Sequence, residues 1–401
     1  MEGSPTDALV FQVLLICGWL VLALRGSRPL SLMTKNWPIV LYFLYCLVSV
    51  TWSDYPAVAI KRWFKATGDV VMALVVVTDP QPRAALRRLF SRLGFVLLPA
   101  SVLLIKYYPH LGKHFSQWTG QQWNGGVTTN KNLLGLTTYV LMLGALWQIL
   151  RLSREVALQS RFRQLVAQCA LLVFGVRLLS DADSATSTAC FMLAAGLMLV
   201  IRLERMRRRP GAVNVVVLTL VLLGGLSKLT GVDGVVVDAL GRNPDLTGRA
   251  SEVWPLLIPM APNALGGAGF ESFWLGPRLQ TVWDAMPNLY VNEAHNGYIE
   301  VYLNLGLIGL GLLIVLVIHG YGRAVAAFRI DQNVGGMMVA YVVSAMMYSY
   351  TEAGFRLLNY SWSFLVLIII GASRISEVTA ETQVNSALPK SAQGSAKSVQ
   401  T

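Results

Sequence analysis

A series of apolar segments long enough to cross a lipid bilayer limits the fold of this chain more than any other feature. A transmembrane helix needs about 17–25 mostly apolar residues. Eleven segments reach or approach that length. They lie near residues 8–25, 37–52, 64–79, 93–107, 132–150, 164–180, 184–201, 211–229, 297–319, 333–350 and 358–373. Several are close to the lower limit, so ten or twelve spans also fit. We predict an all-α, polytopic membrane protein with about 11 transmembrane helices.

The positions of the basic residues test this topology independently. With the amino terminus outside, the loops and tail predicted to lie inside contain 21 of the 33 Lys and Arg residues. Cytoplasmic loops of membrane proteins carry such an excess. The net charge of +12 therefore indicates topology and contact with membrane lipids, and we expect no nucleic-acid partner. The acidic start "MEGSPTD" lacks the basic region of a cleavable signal peptide, and we expect none.

Two long polar stretches interrupt this pattern. The first, residues 230–296, lies between spans 8 and 9 on the predicted outer face and holds the densest set of reactive side chains, so we predict a catalytic loop there. The second, residues 376–401, is polar and poor in aromatic residues, which is typical of disorder. We thus expect a single polytopic membrane domain over residues 1–375, which includes the loop, and a disordered cytoplasmic tail over residues 376–401.

The end of the loop, "NEAHNGYIEVY", contains the candidate catalytic base. If span 9 begins at Gly297, Asn296 is a plausible N-cap and His295 lies just outside the first turn. The partial positive charge of a helix N-terminus disfavours a protonated imidazole. His295 would then stay neutral and could accept a proton, with Glu293 or Glu300 orienting the ring. The alternative is a histidine at the membrane interface, bonded to lipid or water.

Cationic side chains surround this base on the predicted outer face. Arg249 lies in "TGRASEVW" of the loop, and Lys131, flanked by two asparagines, opens the fifth span. Arg62 and Arg177 lie near the outer ends of two other spans. Such cations, without a metal cluster, suit a pyrophosphate leaving group whose developing negative charge they would stabilise. We therefore expect no metal ion and no other cofactor.

Two short motifs offer metal-dependent alternatives. "HLGKH" places His110 and His114 four residues apart, but a glycine lies between them and no glutamate is near. "DAD" (Asp181 and Asp183) resembles the acidic pair that holds a divalent ion in some membrane glycosyltransferases. Both patterns are short and have low specificity.

The motifs resemble the signature region of the O-antigen ligase and polymerase superfamily of bacterial envelopes. "HNGYIEVYLNLGLIGL" is the most specific element, preceded by "GRASEVW" and "GAGFESFW". The segments "LVSVTWSDYP", "GVTTNKNLLG" and "SDADSATSTA" agree with the same pattern, so the resemblance covers most of residues 37–320. Within the superfamily, the chain looks most similar to exopolysaccharide production proteins thought to polymerise repeat units.

The resemblance implies transfer of a glycan at the periplasmic face of the bacterial inner membrane. The donor would be a glycan on undecaprenyl pyrophosphate, and the acceptor another lipid-linked glycan or the lipid A-core of lipopolysaccharide. His295 would activate the acceptor hydroxyl and Arg249 would bind the pyrophosphate, without a metal. Asn296, Glu293, Glu300, Arg177, Lys131 and Arg62 are the candidate substrate-binding residues.

One departure from the family pattern concerns span 7. Many relatives have Ser-Arg or Ser-Lys where this chain has Ser184-Ala185, and Arg177 is the candidate substitute for the missing charge. Two other functions stay open: a transporter or flippase of lipid-linked oligosaccharide, and a non-catalytic component that assembles with other polysaccharide export proteins. A transporter would concentrate polar groups near the bilayer midplane, whereas this chain places them in an outer loop.

Overall fold

The computed structural model describes residues 4–115, 120–155, 158–230, 252–286 and 290–387. Sixteen helices occur in these ranges, together with two short strands and two 3-10 turns, Ser49–Trp52 and Ile258–Met260. The helices are α1 (Pro5–Ala23), α2 (Arg28–Lys35), α3 (Trp37–Val48), α4 (Pro56–Val77), α5 (Pro82–Tyr107), α6 (Pro109–Gly112), α7 (Lys131–Glu155), α8 (Leu158–Ala182), α9 (Ala185–Ile201), α10 (Glu204–Arg208), α11 (Ala212–Thr230), α12 (Trp254–Leu257), α13 (Gly276–Ala285), α14 (Gly297–Ile330), α15 (Gln332–Thr351) and α16 (Tyr360–Ala387). The chain is an all-α, multi-pass membrane protein, as predicted.

Each of the eleven apolar segments coincides with one helix of this set. Arg83 binds Asp331 at 2.7 Å, and Lys35 binds Glu377 at 2.5 Å, so loops distant in sequence meet at one end of the bundle. We call this the basic end. At the other end, Ser53 Oγ lies 2.5 Å from Ser272 Oγ. We call this the site end.

The number of helices that cross the membrane stays a prediction. Within the described ranges, six helices are long and apolar enough to do so: α1, α5, α7, α8, α14 and α16. The pair α2–α3, bent by 84°, would be a seventh if it forms one span. Helices α9 and α11 are shorter apolar helices, and α4 carries Lys61, Arg62, Lys65 and Asp69.

Helix α15 lies at the centre of the bundle. It packs against α14, α9, α16 and α7, and most of its side chains are buried. Its sequence, "QNVGGMMVAYVVSAMMYSYT", contains small residues such as Gly335, Gly336 and Ser344. Neighbouring helices cover it, so small residues that allow close packing matter more here than contact with lipid.

Helix α14 is broken near its first third. Gly306 has φ 66° and ψ −166°, outside the helical region. The break is filled by the glycine-containing turn of residues 263–269: Leu307 N donates to Ala264 O at 2.8 Å, and Ile308 N to Leu265 O at 3.2 Å. The sequence predicted an uninterrupted span here, whereas tertiary contacts replace the lost helical hydrogen bonds.

The described part of the large loop has a small core of its own. Val253, Leu257, Phe273, Trp274 and Val282 are buried together against the first turns of α14. A second ordered element, an antiparallel hairpin, pairs β1 (Lys113–Phe115) with β2 (Gln122–Asn124), with His114 opposite Trp123. The described residues of this loop, 252–286 and 290–296, thus form a packed layer against the first turns of α14.

The boundary between the membrane domain and the tail differs from the prediction. Helix α16 continues to Ala387, past residue 375 where the sequence predicted disorder to begin. Arg374 explains part of the extension, since it donates to Glu377 at 3.1 Å and to Glu381 at 3.2 Å along the same helix. The rest of the predicted tail lies outside the described residues.

Candidate active site

His295 lies at the entrance to α14, where the sequence placed it. Asn296 is the N-cap: its Oδ1 accepts from the amides of Tyr298 and Ile299 at 3.0 and 3.1 Å, and its Nδ2 donates to Tyr350 O. His295 precedes the cap with φ 47°, a conformation uncommon for a residue with a Cβ. Such strain persists only where neighbouring contacts hold the backbone, which is frequent at functional sites.

Glu300 supplies one of those contacts. Its buried carboxylate accepts from Ala294 N at 3.0 Å and from Trp274 Nε1 at 2.7 Å. Trp254 Nε1 donates to Ala294 O at 2.9 Å, so both backbone polar groups of Ala294 are bound. The sequence suggested that Glu300 could orient the ring of His295. Its described hydrogen bonds instead hold the backbone next to His295.

Two other glutamates face the imidazole. His295 Nδ1 lies 3.0 Å from Glu293 Oε1 and 3.2 Å from Glu352 Oε2. Glu352 is 4% exposed, and both its oxygens accept from Asn132 Nδ2 at 3.1 Å. An ionised carboxylate only accepts hydrogen bonds, so this arrangement favours the hydrogen on Nδ1 and the lone pair on Nε2.

The two carboxylates change the electrostatic argument made from sequence. A helix N-terminus alone disfavours a charged imidazole, but two anions within about 3 Å stabilise the protonated ring. They also make the ring a stronger proton acceptor and hold its orientation. General bases with a carboxylate partner on the second nitrogen have the same geometry.

A second charged cluster lies beside the first. Glu271, 6% exposed and with φ 53°, receives Arg356 Nε at 2.9 Å and Nη2 at 2.5 Å, a bidentate pair. Arg62 Nη1 donates to Glu271 O at 2.7 Å and lies 3.5 Å from Oε2. The Glu271 carboxylate raises the pKa of Arg356, which keeps the guanidinium charged. Two cations thus share one carboxylate and leave a net positive charge.

One cavity connects the two clusters. Its volume is about 200 Å³, and it is lined by Glu293 and Glu352 from the histidine cluster and by Arg356 from the other. Asn130, Asn132 and Asn359 add polar groups to its wall. A cavity of this size admits one polar group of a larger substrate, next to the guanidinium of Arg356 and to the two carboxylates that contact His295.

The four cations predicted from the sequence lie in different places relative to this cavity. Lys131 Nζ lies 3.6 Å from Asp183 Oδ2, while its neighbours Asn130 and Asn132 face the cavity. Arg177, with a side chain 69% exposed, pairs with Asp181 at 3.0 Å on the surface of α8. Arg249 lies outside the described residues. Of the four predicted cations, Arg62 is the one that the described structure brings into the buried cluster.

Two side chains of the site were not predicted from the sequence. Glu352 and Arg356 lie in "EAGFRLLN", the short link between α15 and α16. A signal was present, because two charges between adjacent apolar segments are costly near a bilayer and often functional. Their relation to His295 could not be derived, since 57 residues separate His295 from Glu352.

The histidine cluster has the composition of a possible metal site. One ligand atom each from Glu293, His295 and Glu352 lie within 4.8 Å of one another. Nitrogen and oxygen donors of this kind fit Zn²⁺. The "DAD" motif fits less well, because Asp181 and Asp183 are paired with different cations.

A protein-family model matches part of the chain. Residues 168–314 match the family model described as O-Antigen ligase. This range includes α9, α11, the large loop and the first part of α14, with its break at Gly306. The apolar helices and this match indicate a multi-pass membrane protein that is similar to O-antigen ligases over residues 168–314.

The chain is also similar to a curated relative along most of its length. The chain is 23% identical over 348 residues to the exopolysaccharide production protein ExoQ of Rhizobium meliloti (strain 1021), a match that covers 82% of this chain and 75% of the relative. Together with the family model, this supports the O-antigen ligase and polymerase superfamily, and the prediction of that superfamily from the motifs is confirmed. The name of this relative and the family model support a role in exopolysaccharide biosynthesis.

Proposed function

We propose that this protein transfers a glycan from undecaprenyl pyrophosphate to a hydroxyl group of an acceptor glycan, at the periplasmic face of the bacterial inner membrane. The acceptor is the lipid-linked repeat unit of an exopolysaccharide, and the alternative acceptor is a lipid A-core. The observation that carries the proposal is the imidazole of His295, held between two carboxylates that line the same cavity as Arg356.

In the proposed reaction, His295 Nε2 removes the proton of the acceptor hydroxyl. The oxygen attacks the anomeric carbon, and the bond from that carbon to the pyrophosphate breaks with its electrons on the leaving lipid pyrophosphate. Glu293 and Glu352 stabilise the imidazolium that forms, as carboxylate partners do in other base-activated transfers. The proton then passes to water, so the base is restored.

The cationic cluster would stabilise the leaving group. Arg356 donates Nε and Nη2 to Glu271 and also lines the cavity. The rest of its guanidinium can therefore bind phosphate oxygens. Arg62 supports it from the other side of Glu271. Arg249, outside the described residues, stays a candidate for the same task, as the resemblance implied. Lys131 and Arg177 have weaker support, since both have acidic partners on more exposed surfaces.

The test compares His295, which directly precedes the N-cap of α14, with His319 on that helix. In His295→Ala, we expect transfer of glycan from a lipid-linked donor by detergent-purified protein to fall at least about a hundredfold, the usual size of a general-base contribution. His319→Ala, at the basic end of α14, is the matched control and should retain activity. Equal activity of the two variants would remove His295 from the mechanism.

The same assay separates the rival functions. Product formed in detergent, where there is no membrane to cross, argues against a transporter. Activity that persists in EDTA argues against a metal held by Glu293, His295 and Glu352, whereas loss in EDTA and recovery with Zn²⁺ would assign that cluster to a metal. Deletion of the gene decides between acceptors, since loss of secreted polymer indicates polymerisation and loss of long-chain lipopolysaccharide indicates ligation.

A further inference from the structure

A second cavity lies at the site end, against the turn that fills the break in α14. Its volume is about 560 Å³, more than twice that of the first. Its wall contains the aromatic rings of Tyr45 and Trp52, the charged pair Asp54 and Arg278, and the backbone of the glycine turn at Gly266 and Gly267. Some of these residues lie in the quoted motifs "LVSVTWSDYP" and "GAGFESFW", but the proposed mechanism gives none of them a role.

The two aromatic side chains have their polar atoms directed into the protein. Trp52 Nε1 donates to Gly266 O at 3.1 Å, and Tyr45 OH donates to Leu305 O at 3.0 Å. The ring centroids are 6.1 Å apart with an angle of 54° between the planes. Trp52 is nevertheless 40% exposed, so it is an apolar ring surface that the cavity presents to a ligand.

The polar side of the cavity is close to neutral. Arg278 Nη2 donates to Asp54 Oδ2 at 2.7 Å, and the guanidinium also lies 5.6 Å from the centre of the Phe273 ring. Arg278 Nη1 is buried without a hydrogen-bond partner in the described structure. A neutralised pair is a poor site for a phosphate, but a carboxylate oxygen and an N–H donor side by side suit hydroxyl groups, which both donate and accept.

An aromatic surface next to such a pair matches the chemistry of a sugar ring, which has an apolar face of C–H bonds and an edge of hydroxyl groups. We propose that this second cavity binds a sugar residue of the glycan, away from the bond that reacts. The inference rests on the proposed function, because it takes the substrate to be a glycan.

The position of the cavity supports this assignment. Ser53, next to Asp54, bonds Ser272, and Glu271 precedes Ser272 and binds Arg356 of the first cavity. The wall of residues 264–274 therefore has the reactive cluster on one side and the second cavity on the other. A glycan chain of more than one sugar can occupy both, with its reacting end at His295.

Direct binding tests the inference without turnover. The probe is the glycan released by mild acid from the lipid-linked material that accumulates in a strain lacking the gene. In Trp52→Leu, we expect its affinity to fall about fivefold to tenfold, because an apolar side chain without a ring loses the stacking surface. Trp52→Phe keeps a ring but not the bond to Gly266 and should bind within about twofold of the wild type. Trp37→Leu, an exposed tryptophan at the basic end, is the matched control.

Each outcome supports or overturns the assignment of the second cavity to a sugar residue. Unchanged affinity in Trp52→Leu overturns the inference, and so does an equal loss in Trp52→Leu and Trp52→Phe, which would mean that the Gly266 bond matters rather than stacking. Competition by undecaprenyl pyrophosphate without glycan, weakened in Trp52→Leu, would assign the cavity to the lipid headgroup instead. Binding is measured in His295→Ala as well, where it should persist. Loss of transfer function would thereby be distinguished from loss of the sugar site.

Discussion

The two ends of the bundle both contain many charges, but they hold them differently. At the basic end, Arg208 and Glu204 form an exposed pair, with side chains 78% and 59% exposed, beside more buried pairs such as Arg374 with Glu377. At the site end, the side chains of Glu271 and Glu352 are only 4% and 5% exposed, and each has several donors. Exposed charges of this kind indicate orientation in the membrane, whereas buried and paired carboxylates orient other groups.

The largest expected effect concerns the buried cluster. Arg356→Ala leaves the Glu271 carboxylate buried with Arg62 as its remaining described charged partner, and removing one member of a buried pair typically costs about 3–5 kcal/mol. We expect a clear fall in the midpoint of thermal unfolding in detergent and loss of transfer activity. Arg356→Lys should recover part of the stability but little of the activity, since lysine makes no bidentate contact.

A double variant sharpens this result. Arg356→Ala combined with Glu271→Gln removes the uncompensated charge and should recover part of the stability while activity stays low. If Arg356→Ala unfolds no more easily than the wild type, the difference between the two ends of the bundle is not one of desolvated charge.

A smaller effect is expected from the break in α14. A Cβ at Gly306 would lie 2.1 Å from Leu265 O, and the residue has φ 66°, so Gly306→Ala forces the turn out of the break. We expect destabilisation of about 1–3 kcal/mol, together with reduced activity because Glu271 follows the turn by two residues. Thermal unfolding and the transfer assay measure the two effects.

The matched control lies a few residues further along the same helix. A Cβ at Gly311 would meet nothing within 4 Å, so Gly311→Ala should be neutral or slightly stabilising. Similar behaviour of both glycine variants would mean that the turn does not depend on the break.

The smallest effect is expected at the basic end. Arg208→Ala removes an exposed i,i+4 pair with Glu204, and such pairs contribute about 0.3–0.5 kcal/mol. Unfolding and activity should both stay close to the wild type, while the membrane orientation, read by labelling of an introduced cysteine, should also be unchanged because other basic residues remain. A large loss of stability here would contradict the distinction between the ends.

The sequence by itself determined the helical class and the eleven apolar segments, because hydropathy and the distribution of Lys and Arg depend on local composition. It also indicated His295 as the candidate base, Asn296 as the N-cap and the superfamily, since one continuous motif contains both residues and carries the resemblance. The N-cap prediction for Asn296 was confirmed by its two hydrogen bonds to the first turn of α14.

Tertiary structure decided the rest. It brought Glu352 and Asn132 to the ring of His295, assigned Glu300 to the backbone of Ala294, and paired Arg177 with Asp181 at the surface. These contacts join helices far apart in sequence, and no periodic pattern specifies which of several carboxylates a packed bundle brings to one imidazole. The break at Gly306 has the same origin, because a glycine in an apolar span becomes a break only when another segment supplies its missing hydrogen bonds.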